Sequence, residues 1–206
     1  MNDIMSNIIP QSIAIIGEGE TEWFYFESLR IARRFPFKVA PDFPQHSDIG
    51  HILKLLESYL SKQYDLIVCL FDMDRLLRNP TEMQLYQRAK KKYSAKKYAD
   101  SVMFVETNPC TEFWFLLHFL PNVVCRHYEN CEQLLPELQK YMPGYEKTKR
   151  YFKRTNLYKY LTENGDLERA MSNSEKLCQL CKDSPEDLMA YSEIHRVIKV
   201  MNEIEL

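Results

Sequence analysis

Leu66-Ile-Val-Cys-Leu-Phe-Asp-Met-Asp74 is the stretch on which the fold reading turns. Six apolar residues in a row suit a strand buried on both faces of a parallel sheet, and Asp72-Met-Asp74 ends the run. Upstream, residues 13–16 form a shorter apolar run ended by Gly17-Glu-Gly-Glu-Thr21. Apolar and aromatic residues at 23, 24, 26 and 29 then follow at helical spacing to about Arg34, with Thr21 as the expected N-cap. Residues 37–40, between Pro36 and Pro41, read as a short strand. Asp48 can cap a helix whose Ile49, Ile52, Leu53, Leu56 and Leu60 share one face. Downstream, a helix is expected over 80–93, a buried strand over 102–105 and a helix over 112–119. This alternation over 12–120 predicts an α/β fold, a Rossmann-like parallel sheet flanked by helices. From about 132 onward the pattern is helical, near 132–141, 146–163, 166–182 and 185–203, with no strand. The expected division is an α/β domain over 1–125 and a helical C-terminal extension over 126–206, packed on the same domain.

A chain of 206 residues with 45% hydrophobic and 13% aromatic content can bury a full core, which excludes disordered and fibrous classes. Residues 1–10 lack the basic and apolar regions of a secretory signal, and 113–120 is too short to span a bilayer. Six cysteines, at 69, 110, 125, 131, 178 and 181, are scattered, so a reduced cytoplasm is the expected setting. Cys178-Gln-Leu-Cys181 has CxxC spacing, but no second pair follows it. The five histidines form no metal-binding pattern.

In open α/β sheets, ligands gather beyond the carboxyl ends of the strands, and three expected strand ends here carry acids. Glu18, Glu20 and Glu22 follow the first strand, Asp72 and Asp74 the central one, and Glu106 and Glu112 the fourth. An extended backbone would point Asp72 and Asp74 the same way. Carboxylates gathered in one cleft repel one another unless a cation neutralises them, and oxygen ligands without His or Cys suit Mg²⁺ or Mn²⁺. Gly17 and Gly19 would let the loop turn sharply to present Glu18. Each acid also has a plainer role: Glu20 as a solvated loop residue, Glu22 as a partner of the helix dipole. Tyr25 belongs with packing, and His118 with structure more than chemistry.

A Glu loop after one strand and a DxD after a later one resembles the Toprim domain of topoisomerases, DnaG-type primases and OLD-family nucleases. Glu18-Gly-Glu-Thr-Glu-Trp-Phe-Tyr-Phe26 looks like the "EGxTExxYF" opening of RloB-like proteins. Asn108-Pro-Cys-Thr-Glu-Phe-Trp-Phe-Leu-Leu-His-Phe119 is similar to their "NPCFExWLLLHF" segment, and Gly144-Tyr-Glu-Lys147 to their "GYxK" element. Gly17 stands where many relatives have Cys and Thr111 where Phe is usual; neither is expected to touch a proposed ligand. The resemblance implies a metal-dependent Toprim nuclease of prokaryotic phage defence or abortive infection, often associated with restriction–modification loci or a partner ATPase. It implies that Glu18, Glu22, Asp72 and Asp74 hold Mg²⁺ or Mn²⁺, as two ions. It further implies that Lys147 stabilises charge developing on the phosphate, with Glu18 an alternative general acid or base. Glu112 is either a dipole-complementing cap or a group supporting the metal ligands from behind.

The net charge of −2 argues against a uniform nucleic-acid coat, but its distribution is uneven. Residues 88–97 and 145–159 hold twelve of the 27 basic residues; the remainder has 15 basic and 28 acidic groups, a net of −13. Lys90, Lys91 and Lys92 in the first segment and Lys149, Arg150, Lys153 and Arg154 in the second are the expected nucleic-acid contacts, DNA or RNA. Tyr93, Tyr98, Tyr151, Phe152 and Tyr158 interleave with them and could stack on unpaired bases. Two other readings stand beside the nuclease: a non-catalytic nucleic-acid-binding or regulatory subunit, and a haloacid-dehalogenase-type phosphatase built on Asp72-Met-Asp74. The second lacks the small residues and the later acidic pair of that family. No GxxxxGK[ST] occurs, so any ATP dependence must come from another protein. Assembly into a homo-oligomer is left open.

Overall fold

A computed structural model describes residues 12–35, 37–40, 48–184 and 189–204. The readings of residues 1–10, of Pro36 and Pro41, and of a helix beginning at 185 lie outside the described residues. In chain order the elements are β1 (Ile13–Ile16), α1 (Glu20–Arg33), β2 (Lys38–Ala40), α2 (Ile49–Ser61), β3 (Leu66–Asp72), α3 (Met73–Arg78) and α4 (Pro80–Tyr93). There follow β4 (Val102–Asn108), α5 (Glu112–Leu117), α6 (Cys131–Leu138), α7 (Lys149–Arg154), α8 (Leu157–Asn164), α9 (Leu167–Asp183), β5 (Tyr191–Ser192) and α10 (Ile194–Ile204).

The five strands form one sheet in the order β2-β1-β3-β4-β5. The first four are parallel, and β5 pairs antiparallel with β4 through Thr107–Ser192 and Asn108–Tyr191. This is the expected Rossmann-like α/β fold. Period-two alternation divides the core into two layers. Ile13, Ile15, Val68, Leu70, Met103 and Val105 face α1, α5 and the later helices. Ala14, Ile16, Ile67, Cys69 and Phe71 face α2 and α4. Trp114 and Phe115 are fully buried in the first layer, and truncating either to alanine would cost about 3–5 kcal/mol. That layer runs on through Leu134, Leu161, Leu177 and Met201, so the later helices cover the face of the sheet that α1 covers.

Several local expectations change. The chain enters α3 directly at Met73, so Asp74 is helical and does not continue the extended strand. The segment expected as one helix over 146–163 divides at Thr155 and Asn156. Thr155 is extended, and the Asn156 side chain accepts the Lys159 amide at 2.9 Å to cap a new helix. Gly19, rather than Thr21, occupies the N-cap of α1. β5 is a strand in the region read as wholly helical; two residues cannot display an alternation. Among the described residues, no helix is long and apolar enough to cross a membrane.

Candidate active site

The strand order reverses between β1 and β3, because the chain leaves β1 for β2 on one side and returns to β3 on the other. Such a switch point opens a crevice at the carboxyl ends of the two strands. Glu18 follows β1 and Asp72 ends β3, and the Asp72 amide donates to Glu18 Oε1 at 3.3 Å. Glu22 lies in the first turn of α1 and accepts the Gly19 amide at 2.8 Å, closing the helix end on itself. Glu18 and Glu22 are both buried.

Gly17 is needed for close approach rather than for a sharp turn: a Cβ there would stand 2.6 Å from Glu22 Cβ. Thr111 donates both its amide and its hydroxyl to Asp72 Oδ1, at 2.9 and 3.1 Å, and the Thr107 hydroxyl adds a third bond at 2.9 Å. The expectation that positions 17 and 111 touch no proposed ligand is therefore corrected at both. Where an apolar side chain would leave only the amide, Thr111 adds one further donor, its hydroxyl, aimed at the same carboxylate oxygen.

Burial pushes the Glu18 carboxyl well above the usual range, and the charges of Asp72 and Glu22 push it further, against Arg75 at 3.3 Å. Asp72 is raised well above its range for the same reasons, burial first and then the charges of Glu22 and Glu112, with Lys147 opposing. Two neighbouring acids thus resist ionising together, and a nearby cation would relieve that resistance.

Glu112 is fully buried and held from three sides. Its Oε1 accepts the Thr21 hydroxyl at 3.0 Å and the Tyr145 hydroxyl at 2.8 Å, and Lys147 Nζ lies 3.1 Å from the carboxylate. The Lys147 side chain is 41% exposed, so the ammonium spans from a buried acid to solvent. Burial alone would lower Lys147; the charges of Glu112, Asp72 and Glu22 outweigh it and keep the ammonium protonated above its ordinary range. Sequence reasoning missed Thr21, Thr107, Arg75 and Tyr145. Thr21 and Tyr145 lie inside the quoted motifs, the one signal that could have found them.

Asp74 is directed elsewhere. Its Oδ2 accepts the Cys131 amide at 3.0 Å and lies 3.8 Å from Arg78, while its own amide donates to the Pro109 carbonyl at 3.0 Å. Glu106 is also apart, held by Tyr86, Lys90 and Tyr191. Tyr25 is core, its hydroxyl accepting Trp114 Nε1 at 2.8 Å. His118 is buried, with Nδ1 donating to the Trp114 carbonyl at 2.9 Å.

Both cationic segments mix paired and open charges. In the first, Lys90 pairs with Glu106 and Lys92 with Glu57 at 3.0 Å, while Arg88, Lys91, Lys96 and Lys97 are exposed and have no carboxylate partner among the described residues. In the second segment, Arg150, Lys153 and Arg154 are exposed, and Lys149 is half-buried at the start of α7. Of the aromatics proposed to stack on bases, Tyr93, Phe152 and Tyr158 are buried in the core, which removes them; Tyr98 and Tyr151 are half-buried.

The cysteines are not all scattered. Cys110 and Cys131 form a disulfide, with Cα atoms 5.6 Å apart. Together with Glu112, they are the group among the described residues whose ligand atoms lie within 4.8 Å of one another and could hold a metal ion. Cys178 is buried, donating its thiol to the Ser192 carbonyl at 3.1 Å, and belongs to no such group. No curated protein and no solved structure matches the chain. The model of the RloB-like protein family matches over residues 13–201, nearly the whole chain. The chain belongs to the RloB-like family.

Proposed function

We propose that the chain is a Mg²⁺- or Mn²⁺-dependent phosphodiesterase of the Toprim type, an endonuclease acting on DNA or RNA. Its setting would be prokaryotic phage defence, with a partner ATPase. The observation that carries this reading is the pair of acids at the switch point, buried Glu18 and half-buried Asp72, both held above their usual range by desolvation and by the charges of neighbouring carboxylates. Their oxygen-only chemistry fits a hard divalent cation, which would relieve that repulsion. Glu18, Glu22 and Asp72 would hold it. Asp74 engages other groups through Oδ2, so Oδ1 is the oxygen it would offer. When bound, such ions activate water and neutralise the leaving oxygen of a phosphodiester.

The remaining work falls to the chain's own side chains. Thr107 and Thr111 fix the Asp72 rotamer through Oδ1, and Arg75 and the Asp72 amide fix Glu18. Glu112 anchors Lys147 from beneath, so its partly exposed ammonium is positioned to meet a phosphate oxygen as negative charge develops. Arg150, Lys153 and Arg154 supply the counter-charge along which a polyanion would lie.

A second reading, a non-catalytic nucleic-acid-binding or regulatory subunit, draws on Arg75 at Glu18 and Lys147 at Glu112, internal cations that partly balance the acids. The test is incubation of the purified chain, alone and with a co-encoded ATPase, with plasmid DNA, single-stranded DNA and RNA in Mn²⁺ or Mg²⁺. Cleavage abolished by EDTA, by Glu18→Gln and by Asp72→Asn is the expected result. Binding without cleavage under every condition favours the second reading. Cleavage that survives EDTA and both substitutions contradicts the metal mechanism.

A further inference from the structure

We propose that, when its sulfurs are reduced, the pair Cys110 and Cys131 forms with Glu112 a zinc site beside the acidic crevice, with a chemistry separate from the oxygen ligands of Glu18 and Asp72. The inference does not depend on phosphodiesterase activity. Cys131 Sγ lies 3.2 Å from Glu112 Oε2, and all three donor atoms fall within 4.8 Å of one another. Two thiolates on a tetrahedral ion at about 2.3 Å stand about 3.8 Å apart. Cα atoms 5.6 Å apart accommodate that spacing by side-chain rotation, leaving the backbone in place.

The backbone is tied down independently of the sulfur–sulfur bond. The Cys131 amide donates to Asp74 Oδ2 at 3.0 Å, and the Cys110 carbonyl accepts the Phe113 amide at 2.9 Å. Glu112 is aimed in the same way: Thr21 and Tyr145 occupy Oε1, while Oε2 faces Cys131 and accepts from Lys147 Nζ at 3.1 Å, a bond the ion would share or displace. Groups that orient a ligand from behind in this manner are typical of built metal sites. Cys110 and Glu112 are fully buried while Cys131 is half-buried, so the site opens on the Cys131 side.

Donor type chooses the metal. Two soft thiolates and a carboxylate favour Zn²⁺ over Mg²⁺ or Mn²⁺, and three protein ligands leave a fourth position for water. Charge closes as well: two thiolates and one carboxylate are matched by the ion and by Lys147, whose Nζ lies 3.6 Å from Cys131 Sγ. A dithiol reductant opens the disulfide, giving two cysteine thiols and the oxidised, cyclised reductant. Zn²⁺ then replaces the two thiol protons, which pass to solvent. Disulfide and ion therefore exclude each other. Cys178 and Cys181, despite their CxxC spacing, lack a third donor within this range among the described residues.

The test uses the full chain, reduced with dithiothreitol, desalted without oxygen and titrated with Co²⁺ and then Zn²⁺. One equivalent of Co²⁺ should produce thiolate-to-cobalt charge-transfer absorption, removed by one equivalent of Zn²⁺ and absent from the oxidised chain. Cys110→Ser and Cys131→Ser should abolish it, Cys178→Ser should retain it, and Glu112→Gln should weaken Zn²⁺ binding about 10-fold or more. Absence of the band from the reduced wild type overturns the proposal. So does a band that survives Cys110→Ser, or Zn²⁺ affinity unchanged in Glu112→Gln. Should a cysteine variant fail to fold by circular dichroism, the reduced and oxidised wild-type titrations decide the matter alone.

Discussion

Glu106 and Asp72 sit on neighbouring strands, with Phe71 opposite Glu106 and Asp72 opposite Thr107, yet their surroundings act in opposite directions. Glu106 accepts from Tyr86, Lys90 and Tyr191, and its neighbour Glu193 takes the Glu106 amide. Burial works against its charge, but the Lys90 ammonium and these hydrogen bonds prevail and hold the carboxyl below its usual range. Asp72 has three neutral donors, all on Oδ1; burial first and then the charges of Glu22 and Glu112 raise its carboxyl, against Lys147 and these hydrogen bonds. One acid is balanced by cation and hydrogen bonds within the fold; the other is only partly balanced, by Lys147. Carboxylates of the second kind are candidates for sites of chemistry.

The largest effect expected from this contrast is on activity. Asp72→Asn or Glu18→Gln should lower metal-dependent cleavage by at least about 100–1,000-fold, the scale of losing a preorganised electrostatic group, whereas Glu106→Gln should leave turnover at a permissive temperature within a few-fold. Stability should respond in the opposite sense. Glu106→Gln removes the partner of Lys90 and should cost about 1–3 kcal/mol, a fall in Tm of about 2–10 °C by calorimetry. Glu18→Gln removes a repelling charge and should leave Tm unchanged or higher. A Glu18→Gln variant less stable than Glu106→Gln would break the comparison.

Acid pH should sharpen it. Burial pushes His118 down to about 4 from an ordinary 6.5. Between those values the unfolded chain binds a proton that the folded chain refuses, so stability falls as pH drops through this window. Glu106, held below 4.5 when folded, adds its own loss at the acid end. Burial pushes His195 to about 4 as well, so His118→Gln should reduce, not abolish, the dependence of Tm on pH between 6.5 and 4; an unchanged slope would remove His118 from the account.

The smallest effect expected is on nucleic-acid affinity. Neutralising Arg150, Lys153 and Arg154 should lower the slope of log affinity against log salt by up to about 3. Neutralising Lys90 should mainly reduce stability, since its charge is committed to Glu106.

Much of this architecture is legible in the sequence. The apolar runs at 13–16 and 66–71 carry enough signal to show a parallel sheet, and a strand-terminal Glu and Asp follow from chain order. What stays hidden depends on distant partners. Nothing local tells that Lys90 serves Glu106 or that Thr111 serves Asp72, because those pairs form only when β3, β4 and their helices assemble. Asp74 is misread for a local reason: Asp72-Met-Asp74 is equally compatible with an extended end and with a helix start. The Cys110–Cys131 pair spans 21 residues, and spacing alone cannot select it from six cysteines.

Mn²⁺ binding, followed by titration calorimetry on the wild type, Asp72→Asn and Glu106→Gln, tests the central claim most directly, since it needs neither a substrate nor a partner. The account predicts binding that Asp72→Asn abolishes and Glu106→Gln retains. Equal affinity in wild type and Asp72→Asn would contradict it.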